Sequence, residues 1–154
     1  MRIVDFLSSE AIIPSLKAMS QKEVLEELVA PIARAHPNVN KELLIRILNE
    51  REGLGSTGIG GGIAIPHGKC DGIGAIKASF GKSIQGIDFN AMDDKPAHLF
   101  FLLLAPKHSA GEHLKALARV SRLFRDPIFK SGLQKAESAK EIHHLIEETD
   151  MHLP

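Results

Sequence analysis

Seven consecutive apolar residues, Leu99 to Ala105, constrain this chain most. An amphipathic strand alternates apolar and polar side chains. An unbroken apolar run of this length reads instead as a strand covered on both faces. Such a strand needs packed layers above and below it, and the flanking sequence supplies amphipathic helices on both sides. Ser20 and Glu23 read as a capping box opening a helix with Val24, Leu25, Leu28, Val29 and Ile32 on one face, ending near His36-Pro37. Asn40 reads as the N-cap of a second helix carrying Leu43, Leu44, Ile47 and Leu48. This helix ends in Asn49–Glu52, with Gly53 as its first residue beyond the helix. Downstream, Ser109 with Glu112 opens a helix bearing Leu114, Leu117, Ala118, Val120, Ser121 and Leu123. Asp126-Pro127 starts a short one. Ser138 with Glu141 starts the last, through about Glu148. Ile63–Ile65 and Ile73–Ser83 are further strand candidates, and two strands follow one another between 73 and 105 with no helix between them. The expected fold is therefore α/β, a three-layer α/β/α sandwich on a central mixed sheet. One domain over 1–154 is expected, without repeat or linker.

The stretch Gly53–Lys69, GLGSTGIGGGIAIPHGK, holds seven glycines and ends in a histidine between Pro66 and Gly68. Glycine lets backbone amides approach and turn toward a ligand, and successive amides make a concave anion site. Gly55, Ser56, Thr57, Gly58 and Gly60 are the candidate phosphate-binding residues, Ser56 and Thr57 adding hydroxyls. They serve equally well as plain turn chemistry. Pro66 cannot donate to a ladder, so the strand is expected to stop there and leave His67 at its carboxyl end. A neutral imidazole keeps one lone pair and can attack phosphorus. A bond from the other nitrogen to a carbonyl would choose the free one. His113, in the first turn of its helix, can donate to a phosphoryl oxygen at a site the helix dipole favours for anions. Arg51 can clamp a phosphate with its guanidinium or simply face the end of its own helix.

Several rivals are weaker. Gly53–Gly58 matches GxGxxG but follows a helix rather than a strand, so no dinucleotide site is expected. Gly81-Lys82-Ser83 resembles a P-loop end, yet Ile76 stands where its first glycine belongs. Lys82 reads instead as a solvated strand-end residue. His67 and Cys70 have ligand-like spacing among eight histidines, but there is no HExxH and no second cysteine, so no metal is assigned. Lys+Arg and Asp+Glu both count 19, and Trp and Tyr are absent. Nothing points to nucleic acid or to insertion in a membrane. A single cysteine and no apolar leader suggest a cytoplasmic protein.

GSTGIG and IAIPHGK, preceded by NERE and followed by HLFFLLLAP and EHLKALARVSRLF, together resemble the fructose/mannitol-type enzyme IIA domains of the bacterial phosphotransferase system, most of all its nitrogen-regulatory branch. The resemblance covers nearly the whole chain. Gly61 stands where relatives often carry a polar residue. The resemblance implies an α/β/α fold, a phosphohistidine at His67 with Nε2 modified, and His113 and Arg51 as its companions. It implies phosphotransferase activity without a cofactor, and an HPr-type phosphocarrier as donor. The recipient would be a regulated target or, in a sugar-transport IIA, a IIB domain. A non-covalent anion-sensing module and a metal-dependent hydrolase remain as further readings.

Overall fold

The computed structural model describes residues 1–153. Pro154, the last residue of the expected domain, lies outside the described residues. Two 3-10 turns, Ile3–Asp5 and Ser9–Ala11, lead into β1 (Ile12–Ile13), α1 (Gln21–Ala35) and α2 (Lys41–Leu54). Then come β2 (Gly58–Gly60), β3 (Ile63–Ala64), β4 (His67–Lys69), β5 (Lys77–Ile87) and β6 (Ala97–Ala105), followed by α3 (Ala110–Leu123), α4 (Pro127–Lys135) and α5 (Ala139–Met151). The sheet runs β1-β5-β6-β3-β2, with β4 also on β6. It is mixed: β5 pairs antiparallel with β6 and β2 with β3, whereas β1–β5, β3–β6 and β4–β6 are parallel.

β6 is covered on both faces. Leu99, Phe101 and Leu103 pack with Val120, Leu123, Phe129, Ile142 and Ile146 of α3, α4 and α5. Phe100, Leu102 and Leu104 pack with Val24, Leu28, Val29, Leu44 and Leu48 of α1 and α2. Each such side chain stabilises the fold by roughly 1.5–3 kcal/mol relative to exposure. This is the three-layer sandwich the apolar run required.

The N-caps at Ser20, Asn40, Asp126 and Ser138 all form. Four expectations are corrected. Ser109 makes no side-chain cap at α3. α2 continues past Gly53 to Leu54. β5 begins at Lys77, not Ile73, because Gly72 adopts φ +94 against the Asn38 carbonyl and the chain is still turning there. Lys82 is not solvated: it is 7% exposed. Its Nζ donates to the carbonyls of Leu133 and Gln134, at 3.2 and 3.0 Å, and to that of Ala136. Lys82 thus closes the C-terminus of α4, where a cation suits both the unpaired carbonyls and the dipole.

β3 and β4 share one register on β6. Ile63 lies opposite Leu99, Ala64 opposite Phe100 and His67 opposite Leu103. They are one parallel strand interrupted at Ile65-Pro66. Pro66 has no N–H, yet its carbonyl still accepts from Leu103 N–H at 3.0 Å. His67 therefore opens the second half of a strand rather than ending one. The two-residue alternation puts it on the face of Ile63 and Ile65, toward α3.

Candidate active site

His67 sits half-buried with its Nδ1 2.8 Å from the Ile65 carbonyl oxygen. A carbonyl only accepts, so Nδ1 carries the proton and Nε2 of the neutral ring keeps its lone pair. Pro66 holds the intervening backbone φ, so the ring and the carbonyl are joined through a stiff two-residue link.

His113 comes from the first turn of α3 and meets His67 ring to ring, centroids 5.6 Å apart at 89°. It is 7% exposed, and its Nε2 is buried with no hydrogen-bond partner among the described residues. An orphaned buried nitrogen costs about 1–3 kcal/mol, so a partner is expected to arrive in some functional state. Burial holds its proton affinity below the ordinary 6.5, with His67 and Lys69 adding positive charge nearby. The uncapped Ser109 leaves the first amides of α3 free of that side chain, which suits an anion at this helix end.

Arg51 is not placed on either imidazole. Its Nη1 donates to the Gly55 carbonyl at 2.8 Å, across the end of its own helix. One turn earlier on the same helix, Leu48 packs against Gly68, where an added Cβ would lie 3.2 Å from Leu48 Cδ2. The last turn of α2 thus runs beside the strand of His67.

The glycine loop is not an open ring of amides. Thr57 N–H donates to Glu52 Oε1 at 2.9 Å and Thr57 Oγ1 to Glu52 Oε2 at 2.6 Å. Gly58 N–H donates to Ser56 Oγ at 3.0 Å, and that hydroxyl donates to the Phe89 carbonyl. Gly55 N–H closes on Glu52 O, and Gly60 pairs with Ile63. Gly61 N–H donates to Asp93 Oδ2 at 3.0 Å; with the Lys95 amide it holds that exposed carboxyl below its usual range. An incoming phosphoryl group would gain these donors only by displacing their present acceptors.

Sequence reasoning missed two residues. Glu52, 8% exposed, anchors Thr57. An acidic residue in the last turn of a helix, where the dipole disfavours it, was the available signal. Lys69 follows His67 by two along β4 and so shares its face. Cys70 is buried, which pushes its thiol pKa up, as does Asp71. No group of three or more His, Cys, Asp or Glu that could hold a metal occurs among the described residues. No helix among them is long and apolar enough to cross a membrane.

The profile of the phosphoenolpyruvate-dependent sugar phosphotransferase system, EIIA 2, matches residues 5–149. The chain belongs to this family. It is 41% identical over 146 residues to a nitrogen regulatory protein of Bradyrhizobium diazoefficiens, covering 95% of each chain. The crystal structure of nitrogen regulatory protein IIA-Ntr from Neisseria meningitidis superposes with a TM-score of 0.87 at 31% identity, over 94% of this chain and 98% of that one. A fructose-specific EIIABC component of Bacillus subtilis is 32% identical over 150 residues, 97% of this chain and 24% of that protein. In this chain the fold brings His67 of β4, beside the central β6, into contact with His113 at the start of α3.

Proposed function

We propose that this protein is a phosphocarrier of the phosphotransferase system that takes a phosphoryl group on Nε2 of His67 from an HPr-type phosphocarrier and serves in nitrogen regulation. One observation carries the reading: Nδ1 of His67 is tied to Ile65 O, leaving Nε2 as nucleophile beside the orphaned nitrogen of His113.

The Nε2 lone pair attacks phosphorus in line. The bond from phosphorus to the donor's histidine nitrogen breaks, and that nitrogen recovers its electron pair. No metal or nucleotide enters the balance. The protein's task is positioning and charge stabilisation. His113 Nε2–H gives a phosphoryl oxygen the partner it lacks now, with the α3 amides and Lys69 lowering the cost of the added charge. For Arg51 to join the site its guanidinium must leave Gly55 O for the phosphoryl oxygens, which can accept two of its N–H groups at once. The loop of Gly55, Ser56, Thr57, Gly58 and Gly60 reaches His67 through Thr57 O, which holds Ile65 N–H. Phosphorylation adds about −2 charge at this surface, enough to release or recruit a partner.

A second reading rests on the fructose-specific relative: a transport IIA that passes the group to a IIB domain. Transfer to a sugar-specific IIB protein separates the two.

The test is intact mass after incubation with phosphoenolpyruvate, enzyme I and HPr. One acid-labile phosphoryl group is expected on the wild type and none on folded His67→Ala. Stable label on the mutant would sink the assignment.

A further inference from the structure

We infer that Glu52 is a positioning residue which, through Thr57 and Ile65, sets the free nitrogen of His67. The tautomer is read without reference to activity; the consequence for transfer rests on the phosphocarrier reading.

The chain of contacts is continuous. Glu52 clamps Thr57 by both the amide and the hydroxyl, at 2.9 and 2.6 Å. Thr57 O accepts from Ile65 N–H at 3.0 Å. Ile65 O then accepts from Nδ1 of His67 at 2.8 Å. Residue 65 needs such an anchor. By strand alternation its N–H and C=O face away from β6, which takes the Pro66 carbonyl through Leu103 N–H instead. Its carbonyl direction is therefore held from the Thr57 side.

Glu52 is placed where its own charge is locally disfavoured, so its donors hold it firmly. It is a buried carboxylate in the last turn of α2, where the helix dipole opposes it. Three donors satisfy it, the third being Gln21 Nε2 at 3.3 Å. Its neighbour Arg51 grips Gly55 O two residues before Thr57. The last turn of α2 thus holds the loop at two points and passes its position to the imidazole. If the Ile65 carbonyl turns away, Nδ1–H loses its acceptor. The ring is then free to exchange tautomers, and Nε2 is no longer the sole nucleophile.

The test uses Glu52→Gln, which keeps shape but exchanges an acceptor oxygen for a donor, and Thr57→Val, which removes only the hydroxyl bond. The readout is the nitrogen-15 spectrum of the His67 imidazole in the unphosphorylated protein. The wild type should show the Nδ1–H form. Glu52→Gln should show a mixture, and Thr57→Val a smaller shift in the same direction. In the phosphorylated proteins, phosphorus NMR should find Nε2-phosphohistidine alone in the wild type and both isomers in Glu52→Gln. Acceptance at saturating donor should fall about 10- to 100-fold, with KM for the donor little changed. A folded Glu52→Gln with the wild-type tautomer and isomer overturns the inference. If that variant does not fold, an unchanged tautomer in Thr57→Val overturns it. A tautomer shift in a protein that no HPr-type donor phosphorylates would leave the positioning role standing and remove the carrier reading.

Discussion

Lys82 and His113 are both basic, both 7% exposed, and both lie on the α3–α5 side of the sheet. Their surroundings differ. Lys82 gives its ammonium to three carbonyls at the end of α4. His113 keeps Nε2 without a partner, and burial lowers its proton affinity. A satisfied buried cation is a structural joint. A buried imidazole with an unpartnered nitrogen, beside the proposed nucleophile, is what a ligand-binding role calls for. Burial and charge alone do not separate the two roles; hydrogen-bond satisfaction does.

Substitution at the satisfied member should show the largest effect on stability. Lys82→Met keeps the stem and removes the donor. It should lower stability by about 3 kcal/mol, since three carbonyls lose their partner in a buried place. Thermal unfolding should register this as a Tm drop of about 6–12 °C, with phosphoryl acceptance per folded molecule unchanged. A Tm within a degree of wild type would show those carbonyls do not depend on Lys82.

The orphan should behave in the opposite way. His113→Leu fills similar space without an unpaired nitrogen. Stability should hold or rise by about 1 kcal/mol, while phosphoryl acceptance by His67 slows about 100-fold. Unchanged transfer kinetics would remove His113 from the site, and a large loss of stability would make it a core residue like Lys82.

The smallest effect is on pH dependence. Folding lowers the His113 pKa below 6.5, chiefly by burial. Below 6.5 the unfolded chain therefore takes up a proton that the folded chain resists, so this residue's contribution weakens stability as pH falls from about 7.5 toward 5.5. Denaturant titrations across that range should show a shallower loss in His113→Leu than in wild type. Parallel curves would mean that His113 titrates normally.

Much of this was legible in the chain. The Leu99–Ala105 run demanded cover on both faces, and α1, α2 and α3–α5 provide it. His67 was singled out by its neighbours Pro66 and Gly68. Other readings missed because the deciding partner is remote. Lys82 looked like a strand-end cation because its three carbonyls belong to a helix far along the chain. The glycine loop looked like a bare ring of amides because Glu52, Ser56 and Asp93 had not yet been placed on Thr57, Gly58 and Gly61. Ser109 and Glu112 had the letters of a capping box, yet φ −116, ψ 43 at Ser109 keeps its hydroxyl off the helix amides.

By itself the sequence determined the periodicities, the five helix starts and the family, because each rests on neighbours within a few residues or on motifs read in order. Tertiary structure decided which nitrogen of His67 is free, that His113 meets it, and that Glu52 holds Thr57. Those depend on the direction of one carbonyl and one carboxylate in three dimensions, and on α3 packing its first turn against β4 from more than 40 residues away, none of which the order of residues fixes.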